Sequence, residues 1–99
     1  MKLLPQKDPS EIVPASFDFT PDVASGATVT VVSVTVSLIG GTDPTPGNVL
    51  QGAATASGAV VVQWIKAGVD GASYKIKCTA ASSDGQTLVL TARLDVVGS

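Results

Sequence analysis

Three loop aspartates are the first candidates for chemistry in this sequence. Asp43, Asp70 and Asp84 are each followed by proline or glycine, and loop carboxylates that converge with carbonyl oxygens can bind calcium. The sequence lacks the dense Asp and Asn spacing of a calcium loop, and Asp beside Gly or Pro is typical of turns. We therefore predict that these aspartates stabilise turns and that the chain holds no metal.

The sequence offers little that could catalyse a reaction. Cys78 is the only cysteine and there is no histidine, so no internal disulfide can form and the thiol lacks the commonest activating base. Alternation along the chain places Cys78 on an inner face with Tyr74 and Ile76. No glycine-rich phosphate loop, pair of catalytic carboxylates or nucleophile elbow is present. We expect no enzyme, no catalytic residue, no cofactor and no small-molecule substrate.

The lysines and the tryptophan each allow two interpretations. Lys66, Lys75 and Lys77 could form a basic patch, but such lysines more often keep an outer sheet face soluble. Trp64 could be an exposed platform that stacks on a sugar, but we expect the core anchor of a sandwich. The net charge of −2 gives no electrostatic reason to bind nucleic acid or an anionic membrane.

Period-two alternation dominates the chain after residue 15. The 99 residues make one domain, and 44% of them are hydrophobic, with many Val and Thr residues that favour strands. In the run 27–38 the apolar phase reverses at Val31 and Val32, which predicts a β-bulge or a strand break there. The predicted strands are 16–20, 27–38, 48–55, 59–66, 74–80 and 88–96.

Turn signals separate these segments and suggest the architecture. Residues 40–47 form the clearest loop, and 82–85 predict a hairpin. The segment 59–66 is apolar on both faces, which indicates a central strand or one covered by a partner. About seven short strands without helical periodicity predict an all-β, immunoglobulin-like β-sandwich over residues 16–99.

Residues 1–15 differ from everything that follows them. Three prolines favour extended backbone, and the apolar residues follow no strand or helix period. The first residues lack the apolar stretch of a secretory signal, so we expect synthesis and assembly in the cytoplasm. A floppy terminus is one interpretation. We favour an extended docking arm that gains its order only from neighbouring chains. Its predicted interface residues are Leu3, Leu4, Pro5, Lys7, Asp8, Pro9, Glu11, Ile12 and Val13.

The arm and the first strand carry a resemblance to a known family. The run Lys7-Asp8-Pro9-Ser10-Glu11-Ile12, followed by Phe17-Asp18-Phe19, resembles the start of small bacteriophage fiber–tail adaptor proteins. In that family Trp usually follows the Asp, where this chain has Phe19. The later pattern of a glycine turn and a final strand is similar to Asp84-Gly85-Gln86-Thr87-Leu88 and the residues after it.

The resemblance implies a virion structural protein, assembled in the cytoplasm of the host bacterium. It would join tail fibers or spikes to the tail or to the head–tail connector. Its partners would be a fiber or spike protein, a tail adaptor or nozzle protein, and copies of itself in a ring. An alternative is a capsid decoration protein, or a surface-displayed immunoglobulin-like domain that contacts the host through loop 40–47. A bacterial adhesion module is a third interpretation.

Overall fold

Strands occupy most of the chain. The computed structural model describes residues 2–98. Two short 3-10 segments, Thr20–Asp22 and Pro46–Val49, connect strands. The strands are β1 (Lys2–Leu3), β2 (Val13–Asp18), β3 (Val29–Gly40), β4 (Leu50–Ser57), β5 (Val60–Ile65), β6 (Ser73–Ser82) and β7 (Thr87–Asp95).

Two sheets pack face to face around one core. The larger sheet has the order β1-β7-β6-β3 and the smaller has the order β2-β5-β4. The six longer strands form two three-stranded antiparallel sheets, and the two-residue β1 adds a parallel edge along β7. The prediction of an all-β sandwich is therefore confirmed.

The core follows the alternation in the sequence. On β6 the side chains of Tyr74, Ile76, Cys78 and Ala80 are fully buried, while Lys75 and Lys77 are exposed. Burial raises the pKa of the Cys78 thiol to about 11, so the thiol stays protonated and behaves as a small apolar group. The remaining buried apolar residues are Leu4, Ala15, Phe17, Phe19, Val29, Val49, Val61, Ile65, Ala72, Ala92, Leu94 and Val96.

Two local predictions are confirmed. The pairing of β3 with β6 shifts register between Val31 and Ser33, where the apolar phase reverses in the sequence. Ser82 and Gln86 close the β6–β7 hairpin, since the Ser82 amide donates to the Gln86 carbonyl over 2.8 Å. Both features keep the apolar residues of their strands on the inner face.

The first long strand begins earlier than expected. β2 starts at Val13 and includes Pro14, so the last residues of the segment 1–15 already lie in the smaller sheet. Proline cannot donate a hydrogen bond to a neighbouring strand, but β2 is an edge strand and tolerates it. Phe19 falls just beyond β2 and is nevertheless buried with Phe17.

Candidate functional site

The N-terminal arm, residues 2–12, runs along the end of β7. The Leu4 amide donates to the Arg93 carbonyl over 2.9 Å, and the Lys7 amide donates to the Asp95 carbonyl over 3.0 Å. The Val97 amide in turn donates to the Lys7 carbonyl over 2.9 Å. These bonds continue the parallel pairing that β1 begins, so the arm is an extra edge of the larger sheet.

Lys7 is buried, with only 1% of its surface exposed. Its Nζ donates to the carbonyl of Ala67 over 2.6 Å and to that of Asp8 over 2.9 Å. Burial lowers the pKa of the Lys7 ammonium, and the nearby carboxylates of Glu11 and Asp8 partly oppose that effect. A buried ammonium needs such partners, so Lys7 fastens the arm to the loop after β5.

The loop that accepts Lys7 packs closely on the end of β7. Ala67 has a φ of 53° and Gly68 has a φ of +92°. A Cβ at Gly68 would lie 2.8 Å from Cγ2 of the buried Val96. Glycine is therefore required here for both backbone and packing reasons, and the loop presents the Ala67 carbonyl to the arm.

The segment Asp8–Glu11 is a turn stabilised by its own side chains. The Glu11 amide donates to the Asp8 carbonyl over 2.9 Å, and the Asp8 amide donates to Glu11 Oε1 over 2.8 Å. Asp8 Oδ1 accepts from the amide and the hydroxyl of Ser10 over 2.8 and 2.6 Å. Proline after the first turn position suits a type I turn. The motif Lys7-Asp8-Pro9-Ser10-Glu11 therefore forms a turn within the arm.

These contacts correct the expectation that the arm gains its order only from other chains. Leu4 and Lys7, two of the predicted interface residues, are buried within their own domain. The apolar residues of the arm follow no strand or helix period because the arm contacts the edge of β7 and the loop after β5 only at separate positions. Its remaining predicted interface residues stay accessible: Leu3, Pro5, Glu11 and Ile12 are exposed, and Asp8, Pro9 and Val13 are half-buried.

A groove lies between the arm and the first residues of β2. Its volume is about 160 Å³, and its walls are mostly apolar. Gln6 and Glu11 supply the polar part of the lining. The lining residues are Leu4, Pro5, Gln6, Glu11, Val13, Pro14, Ala15, Ile65 and Leu94.

Trp64 lies on the outside of the smaller sheet, with 46% of its surface exposed. The prediction that it anchors the core was wrong, because the inner face of β5 carries Val61, Gln63 and Ile65 instead. Gln63 is 2% exposed. Its amide donates to the carbonyls of Gly52 and Trp64 over 3.1 and 3.0 Å, where the β4–β5 register is irregular.

Trp64 belongs to a surface that carries few charges. Its neighbours in register are Pro14 on β2 and Gln51 on β4, and Val62 is flanked in the same way by Ser16 and Thr55. We call this surface the Trp64 face. Its members are Pro14, Ser16, Asp18, Gln51, Thr55, Val60, Val62 and Trp64, and Asp18, which stands opposite Val60, is the charged residue among them. Because Pro14 also lines the groove, the Trp64 face and the groove are continuous.

The outer face of the larger sheet is different in character. Lys75 stands opposite Arg93, and Lys77 stands opposite Thr91, so three cations share one face. Arg93 pairs with Asp95 over 3.1 Å. A hydrogen bond from Ser73 and the Arg93 guanidinium lower the pKa of the Asp95 carboxyl. Lys66 follows β5 in the other sheet, so it does not join Lys75 and Lys77.

The three loop aspartates each stabilise a turn or a loop. Tyr74 donates its hydroxyl to Asp43 over 2.7 Å and accepts from the Val69 amide over 2.9 Å. This hydrogen bond lowers the pKa of Asp43, and burial raises the pKa of Tyr74. Asp70 accepts from the Gly98 amide, and Asp84 accepts from Ser82 and from the Ala24 amide.

No metal site is found within the described part of the chain. Over residues 2–98 no cluster of three or more His, Cys, Asp or Glu side chains could hold a metal ion. No helix over the same residues is long and apolar enough to cross a membrane.

Comparison with known proteins identifies a family for this chain. A family model described as Podophage GP4 fiber-tail adaptor protein gp77 matches residues 7–95. The matched region begins at Lys7 and ends at Asp95, so it includes the buried lysine, strands β2 to β7 and the Trp64 face. No curated protein matches the chain.

Proposed function

We propose that this chain, which belongs to the podophage GP4 fiber-tail adaptor family, joins tail fibers or spikes to the tail as a non-enzymatic structural protein. The family gives it a place in the virion and a role among tail proteins. Family membership and the exposed surfaces support this role. The arm does not, because its order comes from its own domain.

The exposed Trp64 carries the assignment of the contact surface. Tryptophan is enriched in the residues that dominate binding energy at protein interfaces. The position of an exposed tryptophan beside Pro14 and Val62, next to an apolar groove, supports an interaction site here. We propose that the Trp64 face and the groove bind another tail protein, with the exposed arm residues Leu3 and Ile12 at the margin of the contact.

Several copies then act together. We propose that the chain assembles in the host cytoplasm, that its copies surround the tail in a ring, and that they connect host-attachment fibers to it. Repetition of a modest contact strengthens the whole assembly, because each further contact forms at a high effective concentration. A small domain without enzymatic activity is sufficient for that role.

We also propose that the sandwich is of the immunoglobulin type. The orders β2-β5-β4 and β7-β6-β3 correspond to strands B-E-D and G-F-C of that fold. Tyr74 stands near the start of β6, and its hydroxyl bonds to the backbone of Val69, as in a tyrosine corner. The inter-sheet disulfide and the buried tryptophan of antibody domains have no counterpart in the described residues.

Virion incorporation of a Trp64→Ser variant tests the proposal. Phage that carry the variant should produce a folded protein that is depleted from purified particles by at least about tenfold, since loss of a hot spot of about 2 kcal/mol weakens a contact by about thirtyfold. The measurement is the copy number per particle, from quantitative mass spectrometry, together with adsorption to host cells.

A matched variant separates this effect from a general loss of apolar surface. Val89→Ser changes a residue that is 48% exposed on the other sheet and should leave incorporation unchanged. Normal incorporation and fiber attachment with Trp64→Ser would exclude the Trp64 face as the contact surface. Incorporation into the capsid shell instead of the tail would contradict the adaptor role.

A further inference from the structure

Strand β3 has a long free edge. It runs over Val29–Gly40 and pairs with β6 on one side only. Within residues 2–98 no strand pairs with its other side. The pairing with β6 is regular from Ser33 to Leu38, between two register shifts. Six consecutive residues therefore present their outward backbone groups at an open sheet edge.

Between its two register shifts, this edge lacks the features that normally protect one. Proteins block free edges with charged residues, prolines, bulges or very short strands. Among the described strands, the edge strand β2 contains Pro14, β4 is irregular between Gln51 and Thr55, and β1 has two residues. β3 contains no charged residue and no proline. Its regular segment is thus an open template for a further strand.

The inner side of the same segment is incompletely covered. Val34, Val36 and Leu38 point inward and pack against the core, yet all three are only half-buried. The alternate residues Ser33, Thr35 and Ser37 are exposed on the outer face. A strand added beside β3 would cover apolar area on one side and meet small hydroxyl side chains on the other.

We propose that the segment Ser33–Ser37 pairs with the same segment of a second copy, antiparallel and around a two-fold axis. In such a contact each surface meets its own copy, so a charged edge would repel itself and this uncharged edge does not. An axis through Thr35 brings Val34 beside Val36 of the second copy, and Ser33 beside Ser37. The two larger sheets then form one continuous sheet.

The choice of a second copy follows from this self-complementarity. Apolar residues face apolar residues, and Thr35 faces Thr35 of the second copy, a pairing that stabilises neighbouring strands. The Trp64 face is on the other sheet and remains accessible in the pair. The inference therefore does not rest on the adaptor role, and either can fail while the other holds.

Sedimentation of the full chain over a range of concentrations tests the pairing. The wild type should reach twice the monomer mass of 9.9 kDa. Thr35→Lys and Thr35→Glu should each weaken association by at least about fivefold, because like charges meet at the axis. An equimolar mixture of the two variants should restore the pair, because opposite charges then meet.

A control reproduces the local effect of the new lysine. Thr35 and Thr91 flank Lys77 on opposite sides in the sheet register, so Thr91→Lys also places a lysine beside Lys77 but away from the β3 edge. It should associate like the wild type. Circular dichroism of each variant checks that it is folded.

Hydrogen exchange of the wild type provides a measurement without substitutions. Those amides of Ser33–Ser37 that point away from β6 should become more protected as the concentration rises. A wild type that stays monomeric up to about 1 mM, the limit of weak specific binding, would overturn the proposal. Unchanged association of Thr35→Lys, failure of the mixture to restore the pair, or concentration-independent protection of these amides would overturn it as well.

Discussion

The N-terminal arm and the Trp64 face are neighbours in the molecule, since Pro14 of that face lines the same groove as Pro5 and Glu11 of the arm. The two regions differ in whether their side chains find partners within the protein. The arm directs Lys7, Asp8 and Glu11 to backbone groups of its own chain. The Trp64 face leaves almost half of its largest side chain in solvent. The charged segment serves the fold, and the Trp64 face is the surface that we propose for a partner.

The partners available inside the protein decide whether a side chain is buried and stabilises the fold. Lys7 is buried because two carbonyl oxygens accept hydrogen bonds from its ammonium, whereas Trp64 is exposed because Gln63 takes the inner position beside it. A polar group with partners inside the protein costs little to bury. Residue type alone therefore does not separate core from surface here.

Removal of the Lys7 side chain should have the largest effect on stability. Lys7→Ala leaves the Ala67 and Asp8 carbonyls without their donor and removes a buried alkyl chain. We expect a loss of about 2–4 kcal/mol in the free energy of unfolding, measured by urea denaturation. Lys77→Ala, at an exposed position, should change it by less than about 0.5 kcal/mol. Equal effects of the two substitutions would contradict a structural role for the arm.

Substitution of Gln63 should rank second. Gln63→Ala leaves the Gly52 and Trp64 carbonyls unsatisfied beneath the Trp64 face, which should cost about 1–3 kcal/mol. The loss should appear in thermal and urea unfolding together. Gln51→Ala, an exposed change on the neighbouring strand, serves as the control. If Gln63→Ala leaves the free energy of unfolding unchanged, the Gln63 amide does not stabilise the inner side of β5.

The Asp8–Glu11 turn should contribute less. Glu11→Ala removes the oxygen that accepts from the Asp8 amide, and loss of such a local cap costs about 0.5–1 kcal/mol. Glu11→Gln keeps an acceptor oxygen and should recover most of the difference. The same urea titration measures both, and a loss as large as that of Lys7→Ala would show that the turn, and not the buried lysine, holds the arm.

The smallest effect on stability is expected at Trp64. Trp64→Ser changes an exposed side chain on the outer face, so the unfolding free energy should shift by less than about 0.5–1 kcal/mol. Its effect should appear in particle assembly instead. A loss of 3 kcal/mol or more, as for a buried aromatic residue, would mean that Trp64 supports the fold and would remove the contrast with Lys7.

The sequence predicts the inner and outer side chains of a strand well where one face is buried and the other is exposed to solvent. On β6 the alternation of Tyr74, Ile76 and Cys78 with Lys75 and Lys77 assigns both faces correctly. The reversal at Val31 and Val32 locates the bulge for the same reason. In these strands side-chain chemistry and side-chain direction change together, so the pattern is sufficient.

The pattern fails where both faces of a strand are apolar. On β5 alternation separates Val61 and Ile65 from Val62 and Trp64, but it does not say which set points inward. Gln63, the polar residue in the inner set, favours the wrong choice. Only the irregular backbone of β4, which supplies carbonyl oxygens to the amide, makes the observed choice possible, and no sequence period records that irregularity.

The arm could not be predicted from periodicity at all. Its buried residues, Leu4 and Lys7, are three positions apart and contact different elements, and the partner of Lys7 is the carbonyl of Ala67, sixty residues later. The motif Lys7-Asp8-Pro9-Ser10-Glu11 was the available signal. It identified the family, and its Asp, Pro and Ser indicated a turn, but the buried lysine required the tertiary structure.

Native-state hydrogen exchange of the arm in the isolated protein tests the central contrast most directly. The Leu4 and Lys7 amides donate to Arg93 and Asp95, so they should exchange at least about a hundredfold more slowly than in an unstructured peptide, corresponding to local opening that costs about 2.7 kcal/mol or more. The Lys7→Ala variant should lose that protection. Exchange of both amides at the rate of an unstructured peptide would mean that the arm is ordered only by other chains.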